Sequence, residues 1–102
     1  MLELRPTCEN CNRLLPPEAA DARICSYECT FCAHCVDHVL HNVCPNCGGG
    51  FVPRPIRPVR DWKGGNHLGA HPAATQVRHR SVDLPAHAAL RAALEGLPPE
   101  QR

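Results

Sequence analysis

Eight cysteines fall within the first 47 residues as four close pairs, Cys8/Cys11, Cys25/Cys29, Cys32/Cys35 and Cys44/Cys47, and none follows. Three pairs are C-x-x-C and one is C-x-x-x-C. Spacings this short let two thiolates converge on one tetrahedral metal ion from a tight turn, as structural zinc requires. Eight thiolates suffice for two zinc ions with four sulfurs each. An ion enclosed by four thiolates has no open position for water, so it holds a fold together and does not by itself catalyse.

The stretch that carries the pairs needs such a staple. A segment of roughly 50 residues buries too little apolar surface to hold firmly by its core alone, and metals or disulfides make up the difference. Aromatic residues are few: Tyr27, Phe31, Phe51 and Trp62. The opening MLELRPTCEN has neither a basic start nor an apolar run, and nothing approaches the roughly 18 apolar residues of a membrane span. The expectation is a cytoplasmic chain, where disulfides rarely persist and clustered C-x-x-C pairs favour metal. An iron–sulfur cluster also takes four thiolates and stands as the alternative to zinc.

Charge divides the chain. Up to residue 52 there are six acids (Glu3, Glu9, Glu18, Asp21, Glu28, Asp37) and three bases (Arg5, Arg13, Arg23), a net of −3. Beyond that point the net is +4. An acidic head is a poor reader of nucleic acid, because phosphate binding rests on Lys and Arg.

The organisation expected is a metal domain at residues 1–52, a Pro/Arg/Gly-rich linker at 53–83 and a tail at 84–102. In the linker Pro53, Pro55 and Pro58 alternate with Arg54, Arg57 and Arg60, and Gly64, Gly65 and Gly69 follow. Proline favours an extended backbone at 53–58 beside the head, glycine loosens what comes next, and residues 60–83 are expected to be mobile. The tail is thus expected to be largely disordered, with one short helix at 84–95. Asp83 is a suitable N-cap, Pro85 fits the first turn and Gly96 can end the helix. Ala86, Leu90, Ala93, Leu94 and Leu97 would line one side, but a helix of about twelve residues is marginal alone in water. Within the head, Arg23-Ile24-Cys25 and Thr30-Phe31-Cys32 can pair as a short hairpin. Ala33 to His41 reads as a short helix with Val36, Val39, Leu40 and Val43 apolar at spacings of three and four. Leu14-Leu15-Pro16-Pro17 forms a stiff apolar loop. The fold class is therefore a small, metal-stabilised α+β domain.

Spacing leaves two ligand pairings open. Either consecutive pairs share an ion, or pairs one and three share one ion and pairs two and four the other.

The string C-x2-C-x13-C-x3-C-x2-C-x2-C-x8-C-x2-C resembles the RING-type cross-brace in a version with eight cysteines. Cys29-Thr30-Phe31-Cys32 looks like the RING segment in which an aromatic precedes the fifth ligand, and Cys44-Pro45-Asn46-Cys47 looks like its closing C-P-x-C. The resemblance implies a two-zinc, RING-like cross-brace, with Cys8, Cys11, Cys32 and Cys35 on one ion and Cys25, Cys29, Cys44 and Cys47 on the other. A second likeness covers residues 1 to about 58. LELRPTCENCNRLLPP, ICSYECTFCAHC and CPNCGGGFVPRPIRP are similar to a family of small bacterial cysteine-rich proteins known as a domain of unknown function. It implies a fold and metal sites and no activity.

Ubiquitin-ligase activity does not come with the RING likeness. Ligases of that type hold their conjugating enzyme through an apolar residue in the first C-x-x-C, an apolar or aromatic residue after the helix and the proline of C-P-x-C. Here Glu9-Asn10 fills the first slot, no tryptophan lies between Cys35 and Cys44, and only Pro45 matches.

Other matches carry little. Cys25-x3-Cys29-x2-Cys32 fits the iron–sulfur signature of radical enzymes that use S-adenosylmethionine, but that chemistry needs a large barrel. No βαβ pattern surrounds any C-x-x-C, as a thioredoxin-like redox pair would need. Gly48-Gly49-Gly50 lacks the Lys-Ser/Thr of a nucleotide loop and reads as an exit turn. His34, His38 and His41 are surplus to four cysteine pairs and are expected to face solvent; His67, His71, His79 and His87 scatter through the tail. No catalytic set stands out, so no enzyme activity is expected.

The functional expectation is a zinc-binding protein-interaction module, because a proline-braced extended strand is a common recognition form. One alternative is nucleic-acid contact through the tail, with Arg54, Arg57, Arg60, Lys63, Arg78 and Arg80 on phosphates and Trp62 stacked on a base. Another is a small redox- or metal-responsive protein.

Overall fold

A computed structural model describes all 102 residues. The hairpin forms where β-branched and aromatic residues flank the second cysteine pair. Strand β1 (Ala22–Ile24) runs antiparallel to β2 (Thr30–Cys32), with Ala22 opposite Cys32, Arg23 opposite Phe31 and Ile24 opposite Thr30. The connection holds Cys25 and Cys29, so the turn itself carries the second cysteine pair. Its tightness requires Glu28 in the left-handed region at φ 66°, with the Glu28 amide donating to the Cys25 carbonyl. A two-residue strand β3 (Val52–Pro53) adds to the free side of β1, giving the order β2-β1-β3. Pro53 is tolerated there because an edge position needs no further donor.

From β2 the chain turns directly into helix α1 (Ala33–Cys35), capped by the Cys32 sulfur, which accepts from the Cys35 amide at 3.5 Å. It continues as a wider π-helical turn, Val36–Leu40. His41 and Asn42 end it at φ 48° and 60°, and the Asn42 amide returns to the Val36 carbonyl. This turn buries Val36 and Leu40 beside Phe31 and Leu15, and the core consists of these residues, Ala22 and six of the cysteines. Phe51 closes it, edge-on to Phe31 with ring centroids 5.4 Å apart. Leu14 points outward, and of the apolar loop Leu15 is the residue that enters the core.

The tail differs from expectation: it is ordered against the head. Arg54 is 4 % exposed and donates to the carbonyls of Arg5, Leu15 and Pro16 at 2.9–3.1 Å, while its own amide reaches Ala22. Arg57 ties the carbonyls of Leu2 and His71 together. Further on, the amides of Ala74 and Arg80 donate to the carbonyls of Glu3 and Glu9, and that of Val82 to the Asn10 side chain. Helix α2 (Leu84–Ala93) starts at Asp83, whose carboxylate accepts from the Ala86 amide at 3.1 Å, and Gly96 follows it at φ 79°. The helix docks on the head: His87 is buried with Nε2 2.8 Å from the Val43 carbonyl oxygen, and Leu94 and Leu90 pack over Gly48. A final 3-10 turn, Pro99–Gln101, lies against Gly50 so closely that a Cβ there would meet Pro99 at 2.9 Å. The Pro/Arg composition suggested disorder because it offers little apolar burial to offset ordering entropy. The offset comes instead from guanidinium and amide donors that satisfy carbonyls of the head, a device invisible to hydropathy.

Candidate metal centres

Two segments of the head share one backbone plan. In Cys8-Glu9-Asn10-Cys11 the Asn12 amide donates to the Cys8 carbonyl at 2.9 Å and the Cys8 amide to Arg13 at 2.8 Å. In Cys44-Pro45-Asn46-Cys47 the Gly48 amide donates to the Cys44 carbonyl at 2.8 Å and the Cys44 amide to Gly49 at 2.8 Å. The residue after the second cysteine takes the left-handed conformation in both, Asn12 at φ 63° and Gly48 at φ 77°. Glycine and asparagine are the residues that adopt it most readily, so the local sequence selects the turn. Each turn aims two sulfurs to one side.

The sulfurs of Cys8, Cys11, Cys32 and Cys35 all lie within 4.8 Å of one another, and so do those of Cys25, Cys44 and Cys47. Cys29 hydrogen-bonds to Cys44 and Cys25 but stands outside that 4.8 Å set. Pairs one and three are therefore together, as are pairs two and four: the cross-brace grouping, which separates Cys11 from Cys25 although they are consecutive cysteines. Cys11 Sγ and Cys32 Sγ are 3.8 Å apart. Two ligands on a tetrahedral ion with metal–sulfur bonds of about 2.3 Å stand about 3.8 Å apart, whereas a disulfide is about 2.05 Å long. The donor set thus fits a closed, four-sulfur site. Cys11 and Cys47 are the exposed members of the two groups.

Hydrogen-bond donors surround the sulfurs. Asn10 Nδ2 reaches Cys35 Sγ at 3.3 Å, and Asn46 Nδ2 reaches Cys29 Sγ at 3.4 Å. The amides of Tyr27 and Gly49 donate to Cys25 and Cys47 at 3.3 and 3.4 Å. Each asparagine comes from one pair and donates to the other pair of its own cluster. Such donors favour the thiolate over the thiol and fix ligand direction.

Without a cation the clustered thiols cannot all ionise. Burial pushes Cys8 up, Cys25 up to about 11, and Cys35 up. The hydrogen bond between Cys44 and Cys29, aided by burial, raises Cys44, and the same bond holds Cys29 down to about 5, with Asn46 and Cys25 adding to it. At Cys11 burial acts upward, but the Arg13 amide and the thiols of Cys8, Cys32 and Cys35 outweigh it and lower the group. A bound dication would reverse the penalty on the raised members, since coordination deprotonates a thiol outright.

The family model described as "Protein of unknown function (DUF1272)" matches residues 1–57. The chain belongs to this family. Its matched segment contains all eight cysteines, β3, Arg54 and Arg57. A curated relative, "Uncharacterized protein R02474" of Rhizobium meliloti (strain 1021), is 52 % identical over 75 residues, which is 74 % of this chain and 82 % of that protein. At that length the likeness extends past the family segment into the residues after 57. No solved structure matches the chain.

The structure places the other candidate residues apart from the cysteines. Arg54 and Arg57, expected as partner contacts, point inward onto backbone carbonyls; burial lowers the pKa of Arg54. Arg60 and Trp62 are exposed. Asn10 and Asn46 escaped sequence reading, although the repeated Cys-x-Asn-Cys carries the signal. Arg5 also escaped it: burial opposes its charge, but Glu9 and Glu3 more than compensate, and Glu9 also accepts from the Thr30 amide at the start of β2. No helix is long and apolar enough to cross a membrane.

Proposed function

We propose that each cysteine cluster holds one zinc ion with a structural role, and that the protein is a cytoplasmic protein-interaction module without enzymatic activity. The observation that carries the reading is the interleaved grouping of the four cysteine pairs at ligand spacing, with amide and asparagine donors already directed at the sulfurs. Cys8, Cys11, Cys32 and Cys35 would hold the first ion; Cys25, Cys44 and Cys47, completed by Cys29, would hold the second. Zinc fits four-thiolate sites in a fold this small better than redox-active iron, because it supplies rigidity without electron chemistry.

The partner-binding part of the reading rests on the strip that leaves β3. Val52, Ile56, Val59 and Trp62 are 56–72 % exposed along a segment braced by Pro53, Pro55 and Pro58. A stiff extended strand with outward apolar side chains loses little entropy on binding and suits a protein groove. Nucleic-acid contact is the weaker reading, since Arg54 and Arg57 are engaged internally and Arg78 pairs with Glu3, which leaves Arg60, Lys63 and Arg80.

Native mass spectrometry of the purified chain tests the metal assignment. A mass corresponding to two zinc ions per chain supports it. Iron, or fewer than about one metal per chain after metal-replete expression, refutes it.

A further inference from the structure

We propose that His34 and His38 form a surface chelate for a divalent late-transition-metal cation, separate from the cysteine clusters. The two imidazoles project from consecutive turns of the segment formed by α1 and the π-helical turn, and both residues are exposed. Their ring centroids are 4.7 Å apart and the rings are inclined by 42°.

That separation is compatible with one ion shared by the two rings. An imidazole nitrogen about 2.1 Å from a metal places its ring centroid about 3.2 Å away. Two rings at right angles on one ion then have centroids about 4.5 Å apart, and at the tetrahedral angle about 5.2 Å. The observed 4.7 Å lies nearer the right-angle value, which adjacent positions of an octahedral or square-planar ion give, the geometries of Ni²⁺ and Cu²⁺. Neutral imidazole suits these borderline cations, and two histidines four residues apart on a helix are a known way of presenting a pair of ring nitrogens to one ion.

The backbone beneath the pair is held in place. Cys32 and Cys35 lie in the first cysteine cluster on either side of His34, and Val36 and Leu40 are buried on either side of His38. Side-chain rotation alone can then turn both rings toward one ion. No third histidine, cysteine or carboxylate joins the pair: His41 leaves the helix in a left-handed conformation, and Asp37 is not within ligand distance of both rings. The protein thus supplies two ligands and water the rest, so the ion is exchangeable and open to a ligand from another molecule.

The test is a Ni²⁺ titration of the full-length, metal-replete chain. Calorimetry reads binding, amide NMR locates the paramagnetic broadening, and native mass spectrometry follows the resident metal. The expected result is one Ni²⁺ per chain, with broadening centred on residues 33–38 and no loss of resident metal. His34→Ala and His38→Ala should each weaken binding by roughly tenfold or more, at least the loss that disturbing an outer-sphere partner causes. His41→Ala and the double variant His67→Ala/His71→Ala should leave it unchanged. Binding that survives both His34→Ala and His38→Ala, broadening centred on the tail histidines, or Ni²⁺ that displaces the resident metal would overturn the proposal. Because resident metal is counted separately, a chain that carries no zinc refutes the cysteine-site assignment without deciding the histidine pair.

Discussion

The ring Nε2 of His87 lies 2.8 Å from the carbonyl oxygen of Val43, so helix α2 and the residue before the last cysteine pair share a buried hydrogen bond. The bond spans 44 residues of chain and anchors the tail to the head. Removing the ring leaves a buried acceptor without a donor, which costs about 1–3 kcal/mol. His87→Ala should therefore lower the melting temperature by roughly 4–8 °C for each kcal/mol lost in a domain of this size. Thermal unfolding of the metal-loaded chain measures it, and an unchanged midpoint would mean that α2 does not hold to the head in solution.

Asn10→Ala should weaken metal binding at the cluster that contains Cys35, and Asn46→Ala at the cluster that contains Cys29, each by about 10–100-fold. The effects should be local, one cluster per variant, because each amide touches a single sulfur. Competition with a chromophoric chelator resolves the two sites. Loss of affinity at the opposite cluster would show that the asparagines act through the fold rather than on the thiolate.

Arg54→Met should be among the most damaging substitutions outside the cysteines. It removes a charged donor from three carbonyls, and bonds of this type contribute about 1.5–3 kcal/mol each in favourable cases. A total loss of about 3 kcal/mol or more should appear in denaturant unfolding. Arg54→Lys should recover only part of it, since one ammonium cannot span the three acceptors that the planar fork reaches.

Metal uptake at the second cluster should release fewer than four protons per ion at neutral pH. Cys29, held down to about 5, is already ionised there, whereas Cys25, pushed up to about 11, must give up its proton. Affinity accordingly rises with pH between these values, and the slope reports the protons displaced. Calorimetry in buffers of different ionisation enthalpy counts them. Release of all four would show that Cys29 is a thiol before metal arrives.

Much of the head was legible because its signals are local. Arg23-Ile24 and Thr30-Phe31 have the alternation and branching of strands, and the cysteine spacings limited the possible groupings to two. Between those two the spacing was silent; the RING likeness favoured the cross-brace, and the structure has that grouping. The helix near Leu90 was legible from Asp83 and Gly96, and its observed extent is two residues shorter than expected. Its docking was not legible, since the contacts to Val43 and Gly48 join residues 42 or more positions apart and leave no periodic trace. Arg54 and Arg57 misled for a related reason: an arginine that caps backbone carbonyls has the same one-letter code as one that faces water.

The interleaving of the cysteine pairs has a mechanical consequence. With both ions bound as proposed, a single break in the backbone anywhere between Cys11 and Cys44 would detach nothing. A cut between pairs one and two leaves Cys8 and Cys11 tethered to Cys32 and Cys35; a cut between pairs two and three is spanned by both ions; a cut between pairs three and four is spanned by the second. Consecutive pairing would let the two halves drift apart at a nick between Cys29 and Cys32. The cross-brace instead makes the head a lashing of two strands of chain, in which the metal rather than the peptide bond carries continuity.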